Sequence, residues 1–208
     1  MLTLYTAHGA CSTSVHFMLE ELGVPYEIKT VALKDGAQNS AEYKAVNPRS
    51  KVPALDIGEG AALTECGSII QYVCDKYAPG KYLGPLGSPE RARATQWMAY
   101  IASGVHPHWT RHARAERFGD EAAKPSIDAK AIAMWQAEWD HIETELANHG
   151  PFTCGAKVQA SDFYLYTVAR WGRTVSPSTL DRPHVKVFFD KMSAIPSVER
   201  VLKATGLS

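Results

Sequence analysis

An α/β half followed by an all-helical half is the architecture this sequence predicts, and three observations predict it. Strand and helix signals alternate over the first 78 residues in the order βαβαββα. The stretch PGKYLGPLGSP at 79–89 then holds six Pro or Gly in eleven residues, a density that neither a helix nor a central strand tolerates. Beyond it, apolar residues recur at helical spacing to the end of the 208-residue chain. The expected division is an α/β unit at 1–78, a linker at 79–88 and an all-helical unit at 89–208.

Each element has its own signal. Leu2 to Tyr5 is a short apolar run that passes through the turn-like AHGA into Val15, Met18, Leu19 and Leu22. That is the i, i+3, i+4, i+7 stripe of a helix, with Gly23 as its stop. Tyr26, Ile28 and Val31 mark a second strand, Ser40 caps a short helix over 41–45, and Val52 to Ile57 reads as a third strand. GEG at 58–60 turns the chain into a strand at 61–64, and Ile69, Ile70, Val73 and Tyr77 form the buried stripe of a last helix.

In the second half, Pro89 suits a first helical turn, and Ala94, Trp97, Ile101, Val105 and His108 or Trp109 share one face. Ile127, Ala131, Trp135, Trp139, Ile142 and Leu146 trace a second long helix. FYLYTVARW at 163–171 is apolar nearly all round, as the central helix of a bundle must be. Val185, Phe188, Phe189 and Met192 mark a further helix, and Pro196 begins the last.

Composition excludes several functions. Lys and Arg number 22 against 22 Asp and Glu, so the basic surplus of a nucleic-acid binder is absent. No apolar run reaches the roughly 18 residues that span a bilayer, and MLTLYTAHGACS lacks the basic start and apolar core of a signal peptide. A cytoplasmic protein without nucleic-acid or membrane partners is expected. Four cysteines with no metal-ligand spacing make neither a disulfide scaffold nor a zinc site. The neutral total hides a split: residues 1–78 carry six basic and nine acidic side chains, and residues 79–208 sixteen and thirteen.

The most informative local feature is Cys11-Ser12, where the first strand feeds the first helix. Orphan N–H groups and the positive end of the helix dipole converge there and stabilise an anion, a thiolate included. Ionising a thiol of pKa about 8.5 at neutral pH needs about 2.7 kcal/mol. A helix end supplies about 0.3–2 kcal/mol and one hydrogen bond to the sulfur about 1.5–3 kcal/mol, so together they suffice without a metal. The thiolate is that of Cys11 or of a bound ligand; the plainer alternative is that Cys11 is a small residue in a tight loop.

With LYTAHGACS, the tract VNPRSKVPAL (46–55), LTECGSIIQYV (63–73), IASGVH (101–106) and DFYLYTVARW (162–171), the sequence resembles the cytosolic glutathione transferases, and the bacterial beta class in particular, over nearly its whole length. The resemblance implies a thioredoxin-like fold for the first half and glutathione as co-substrate, with no other cofactor and no metal. Val52-Pro53 matches the family's cis-proline, where the Val52 backbone pairs with the cysteinyl part of glutathione. Glu65-Cys66 matches the pair that holds the γ-glutamyl group, Glu65 for the ammonium and the helix N-terminus for the carboxylate. Ala10 and Ser103 fall in matching tracts and are assigned to glutathione binding with them.

Cys11, Ser12 and His106 are the catalytic candidates that the resemblance implies, with His106 orienting or polarising the sulfur site. A lone helical histidine is otherwise more often a surface or satisfied core residue, and only the family match reverses that. There are departures. Cys66 stands where relatives carry Ser or Gly, Ala99 where some carry Asn, and Pro107 where close relatives carry Lys. Pro107 also lacks an N–H and is expected to bend or break the helix near His106. Gln159 stands where the family's helix-capping Ser or Thr precedes Asp162. Trp97, Trp171 and Tyr166 read most simply as core aromatics.

The function these features imply is conjugation of the glutathione thiolate to small hydrophobic electrophiles held between the halves, with thiol–disulfide exchange through Cys11 as a second activity. Two alternatives stay open: a glutathione-dependent redox or deglutathionylating enzyme, and a noncatalytic ligand-binding protein on the same fold. A homodimer is the family expectation, and the oppositely charged halves offer it a physical basis.

Overall fold

The computed structural model describes residues 1–207. β1 (Leu2–Thr6) lies beside β2 (Tyr26–Thr30) in parallel and beside β3 (Ala54–Asp56) in antiparallel sense, and β4 (Leu63–Thr64) closes the order β2-β1-β3-β4. Leu4 sits opposite both Ile28 and Leu55, and it is fully buried. A parallel pair needs a crossover, and α1 (Thr13–Leu22) supplies it, ending at Gly23 with φ 64°, a left-handed turn open to glycine. α2 (Ala41–Val46) begins as expected, with Ser40 Oγ accepting the N–H of Tyr43 at 3.1 Å. α3 (Cys66–Tyr77) completes the βαβαββα order, Ile69, Ile70 and Val73 being its buried stripe. The third strand is shorter than the 52–57 run, because Pro53 has no N–H to give the ladder, and β4 forms only after Ala61 and Ala62.

The second half is helical: α4 (Pro89–Tyr100), α5 (His106–Ala113), α6 (Lys124–His149), α7 (Ala160–Trp171), α8 (Pro183–Ser193) and α9 (Pro196–Thr205). Pro89 follows an N-cap, Ser88, whose hydroxyl accepts the Arg91 N–H at 3.2 Å. The disturbance expected from Pro107 is real, but it takes a different form. The chain neither breaks nor leaves helical dihedrals; it widens into a π-turn over Ile101–Val105, in which the His106 N–H reaches the Ile101 carbonyl. An extra residue in the turn relieves the ring's clash with the carbonyl four residues back. It also rotates the downstream face, so that His108 is buried and Trp109 is only partly covered.

α7 is buried from Ala160 to Ala169. Its start lacks the family's hydroxyl cap, yet the buried Asp162 carboxylate accepts the N–H of Gln159 at 2.6 Å and that of Thr153 at 2.8 Å. Burial outweighs those two bonds and pushes the Asp162 carboxyl up to about 6.

α1 fastens the halves together. Phe17 meets Tyr166 of α7 with ring centroids 5.7 Å apart. Glu21 accepts from Tyr82 at 2.6 Å and from Ser197 at 2.5 Å, and Glu20 pairs with Arg200 at 2.6 Å. One continuous apolar core therefore runs from Leu4 of the sheet to Val201 of α9.

Candidate active site

Between the halves lies a cavity of about 1000 Å³. Its floor is built where α1 and α3 begin, and both carry a cysteine there. Cys11 directly precedes the α1 N-cap, Ser12, and Cys66 is the first residue of α3. Cys11 Sγ donates to the Val52 carbonyl at 3.4 Å, across the loop that the cis Val52–Pro53 bond shapes. That loop is held from behind: Tyr43 Oη and Asn47 Nδ2 both donate to the Lys51 carbonyl, at 2.6 and 2.7 Å. Glu65, ahead of α3, has φ 67° without being glycine, a conformation that costs about 1–3 kcal/mol and is kept at functional sites. Its carboxylate pairs with Arg49 at 2.9 Å.

The two thiols differ in character. A hydrogen bond from Cys66, with the Ser12 backbone N–H assisting, holds the Cys11 thiol below the ordinary thiol range in spite of burial and of Glu65. The Cys66 proton has two neighbouring acceptors, the Cys11 carbonyl oxygen 3.4 Å away and the Cys11 sulfur once ionised. The Cys66 thiol is pushed well up, first by its bond to Cys11 and then by burial; Cys66 is only 5% exposed.

The opposite wall comes from the helical half. His106 Nδ1 lies 3.0 Å from Tyr164 Oη of α7, and the imidazole packs on Trp171 at 4.9 Å between ring centroids. Burial, helped by nearby Lys51, lowers His106 to about 4, so the ring is neutral at physiological pH. Tyr164 is pushed in the opposite direction by burial and by the two thiols and Glu65, and it stays a phenol. When its hydroxyl donates to Nδ1, the proton of His106 sits on Nε2. Trp171 Nε1 donates to the Gly9 carbonyl at 2.7 Å, tying this wall to the floor.

Of the residues singled out in the sequence, Ala10, Cys11, Val52, Pro53, Glu65, Cys66 and His106 all line this cavity. Ser12 and Ser103 do not. Ser12 is fully buried, and its hydroxyl accepts from Thr6 Oγ1 at 2.7 Å and from the Ala7 N–H at 3.1 Å. It ties the β1–α1 loop and reaches the sulfur only through its backbone. Ser103 is exposed and donates to the Ala99 carbonyl at 2.9 Å; Ala99 is exposed as well, so its change from Asn takes nothing from the cavity wall. Trp171, read as core, lines the cavity, whereas Tyr166 is core and Trp97 packs against Tyr100. Tyr164 was missed. Tyr164 and Trp171 stand two helical turns apart and each has a polar tip that needs a partner, but Tyr166 on the same helix has one too, and spacing alone does not separate them.

Comparison with known proteins shows the family to which this fold belongs. The sequence profile of the glutathione S-transferase N-terminal domain matches residues 8–76. Glutathione S-transferase GstA of Escherichia coli O157:H7 is 32% identical over 207 residues, covering 99% of this chain and 100% of that protein. A glutathione transferase homologue from Sulfitobacter, solved with bound glutathione, superposes with a TM-score of 0.90 at 29% identity, over 100% of this chain and 99% of that one. A bacterial beta class enzyme from Sphingomonas chungbukensis gives 0.86 at 25% identity, over 99% and 100%. The chain belongs to the glutathione S-transferase family, whose enzymes take glutathione as co-substrate.

Proposed function

We propose that this protein joins the glutathione thiolate to small electrophiles in the cavity between its halves, in the manner of the beta class. The observation that carries this reading is the convergence of Cys11, Val52, Glu65, Cys66 and His106 on one cavity. In this reading glutathione lies along the floor with its cysteinyl main chain against Val52. Its γ-glutamyl ammonium meets Glu65, and the adjoining carboxylate meets the first N–H groups of α3, where the helix dipole favours an anion. Its sulfur comes to the start of α1, where the Ser12 N–H stabilises a thiolate and neutral His106 donates from Nε2. Holding thiolate and electrophile together removes the entropy of their encounter.

The helical wall sharpens the substrate class. Trp109 and Phe118 line it together with Arg111, Arg114 and Arg117, and none of these three arginines has an ion pair among the described residues. An aromatic electrophile bearing a carboxylate or sulfonate fits that wall better than the purely hydrophobic one. The test is conjugation of glutathione to paired aryl halides with and without a carboxylate. We expect turnover of both, with a lower KM for the anion that Arg114→Ala and Arg117→Ala together raise. No turnover of any electrophile by a protein that still binds glutathione would favour the noncatalytic ligand-binding reading.

Three finer points belong to the same proposal: a homodimer, a cytoplasmic setting, and the division at residues 79–88. Family membership, the absence of any helix apolar enough to cross a membrane among the described residues, and the Pro/Gly-rich linker support them respectively.

A further inference from the structure

All four cysteines carry free thiols, but they are not equivalent. Cys74 is a buried residue of α3, and Cys154, beside Thr153 and packed against the core, does not line the cavity. Cys11 and Cys66 share one cavity, and the Cys66 sulfur is 3.4 Å from the carbonyl oxygen of Cys11. We propose that Cys66 is a resolving thiol, and that with it the protein reduces glutathione mixed disulfides through a Cys11–Cys66 disulfide. This rests on the reading that glutathione binds along the cavity floor.

The chemistry balances in three steps. The Cys11 thiolate attacks the glutathionyl sulfur of a mixed disulfide; the Cys11–glutathione bond forms, the substrate S–S bond breaks, and the substrate thiolate leaves with the electron pair and takes a proton from water. Cys66 then loses its proton and attacks Cys11 Sγ, forming the intramolecular disulfide as glutathione departs as a thiolate and accepts that proton. The protein has given two electrons and the substrate disulfide has received them. Two further molecules of glutathione, the family's co-substrate, reduce the Cys11–Cys66 bond and leave as glutathione disulfide.

The surroundings set the order of events. Cys11 is the thiol held low and therefore reacts first. Cys66 is held high first by its bond to the Cys11 sulfur and then by burial, with that sulfur's charge adding to both. The bond and the charge vanish once Cys11 is in a disulfide, because a disulfide sulfur carries no charge, so Cys66 ionises more readily at the stage that needs it, against burial and Glu65 alone. Tyr164, which lines the same cavity as Cys66 and whose hydroxyl lies 3.0 Å from His106 Nδ1, offers the departing proton a path. A serine in place of Cys66 could hold the γ-glutamyl carboxylate but could not carry out this exchange.

The experiment uses the full chain, a slight excess of glutathione disulfide, and intact-mass and non-reducing peptide mapping, alongside conjugation of an aryl halide. The wild type is expected to lose two hydrogens and to yield a linked Cys11–Cys66 peptide pair, as should Cys154→Ser. Cys66→Ser and Cys66→Ala are expected to stop at a stable glutathionyl adduct on Cys11, and Cys11→Ala to react at neither site. A wild-type adduct as long-lived as that of Cys66→Ser, a link to Cys74 or Cys154, or a Cys11 that never reacts would each overturn the inference. If aryl halide turnover persists in such a case, the transferase reading stands and only the resolving role falls. A wild type that neither binds glutathione nor conjugates it removes that reading, and the inference with it.

Discussion

In the proposed mechanism His106 brings the helical half to the sulfur. Burial keeps its ring neutral, and Tyr164 Oη lies 3.0 Å from Nδ1, which leaves Nε2 to carry the proton when the hydroxyl donates. Losing one hydrogen bond to a charged sulfur costs about 1.5–3 kcal/mol. His106→Ala should therefore lower kcat/KM for conjugation by roughly 10- to 150-fold, with a smaller loss for Tyr164→Phe in the same steady-state assay. An unchanged rate in His106→Ala would remove the ring from the chemistry. Protonation gives a second signature. The folded pKa of His106 lies near 4, below the 6.5 of a free histidine, and buried His16 behaves alike. Between those values the unfolded chain binds more protons than the folded one. Their contribution is thus fully present above about pH 6.5 and is lost as pH falls through about 4. Urea midpoints measured from pH 7 to 4 should fall, and the fall should be shallower in His106→Asn.

At the scale of the element, the α4–π–α5 run shows what sequence could and could not supply. Pro107 foretold a disturbance, but not that it would be an added residue in the turn before His106, because a π-turn leaves no periodic trace of its own. Pro107→Ala restores the missing N–H. We expect a melting temperature equal to or above that of the wild type, together with a lower kcat/KM as the turn relaxes and His106 moves off Tyr164; calorimetry and the conjugation assay read the two effects. The same limit explains the two misplaced serines. Ser12 and Ser103 lie in tracts that match the family, but spacing says nothing of where a hydroxyl points; one is turned into the β1–α1 loop and the other bonds back to its own helix. Cys11 was legible because a strand end feeding a helix start is a place that the local pattern locates; Val52, Glu65 and Cys66 were singled out through the resemblance to the glutathione transferases, and all four line the cavity. The α7 wall was not. From Ala160 to Ala169 the helix is buried on every side, with no exposed polar face to orient it, so Tyr164 blended into the core and Trp171, at its partly covered end, was read with it.

For the whole molecule, the neutral total of 22 against 22 charges conceals an acidic first half and a basic second half. The basic surplus of three in the second half is matched in number by Arg111, Arg114 and Arg117, which line the cavity. In the proposed homodimer the acidic first half of one copy faces the basic second half of the other. Sedimentation at micromolar concentration should give a dimer that weakens as salt rises, since exposed charges are screened beyond about 10 Å at 0.1 M. A crystal structure with glutathione is the decisive experiment on the cavity floor. It should show the cysteinyl main chain paired with Val52, the γ-glutamyl group at Glu65 and the start of α3, and the sulfur between Cys11 and His106. Glutathione bound elsewhere, or lying reversed with its sulfur away from the start of α1, would contradict the proposed function.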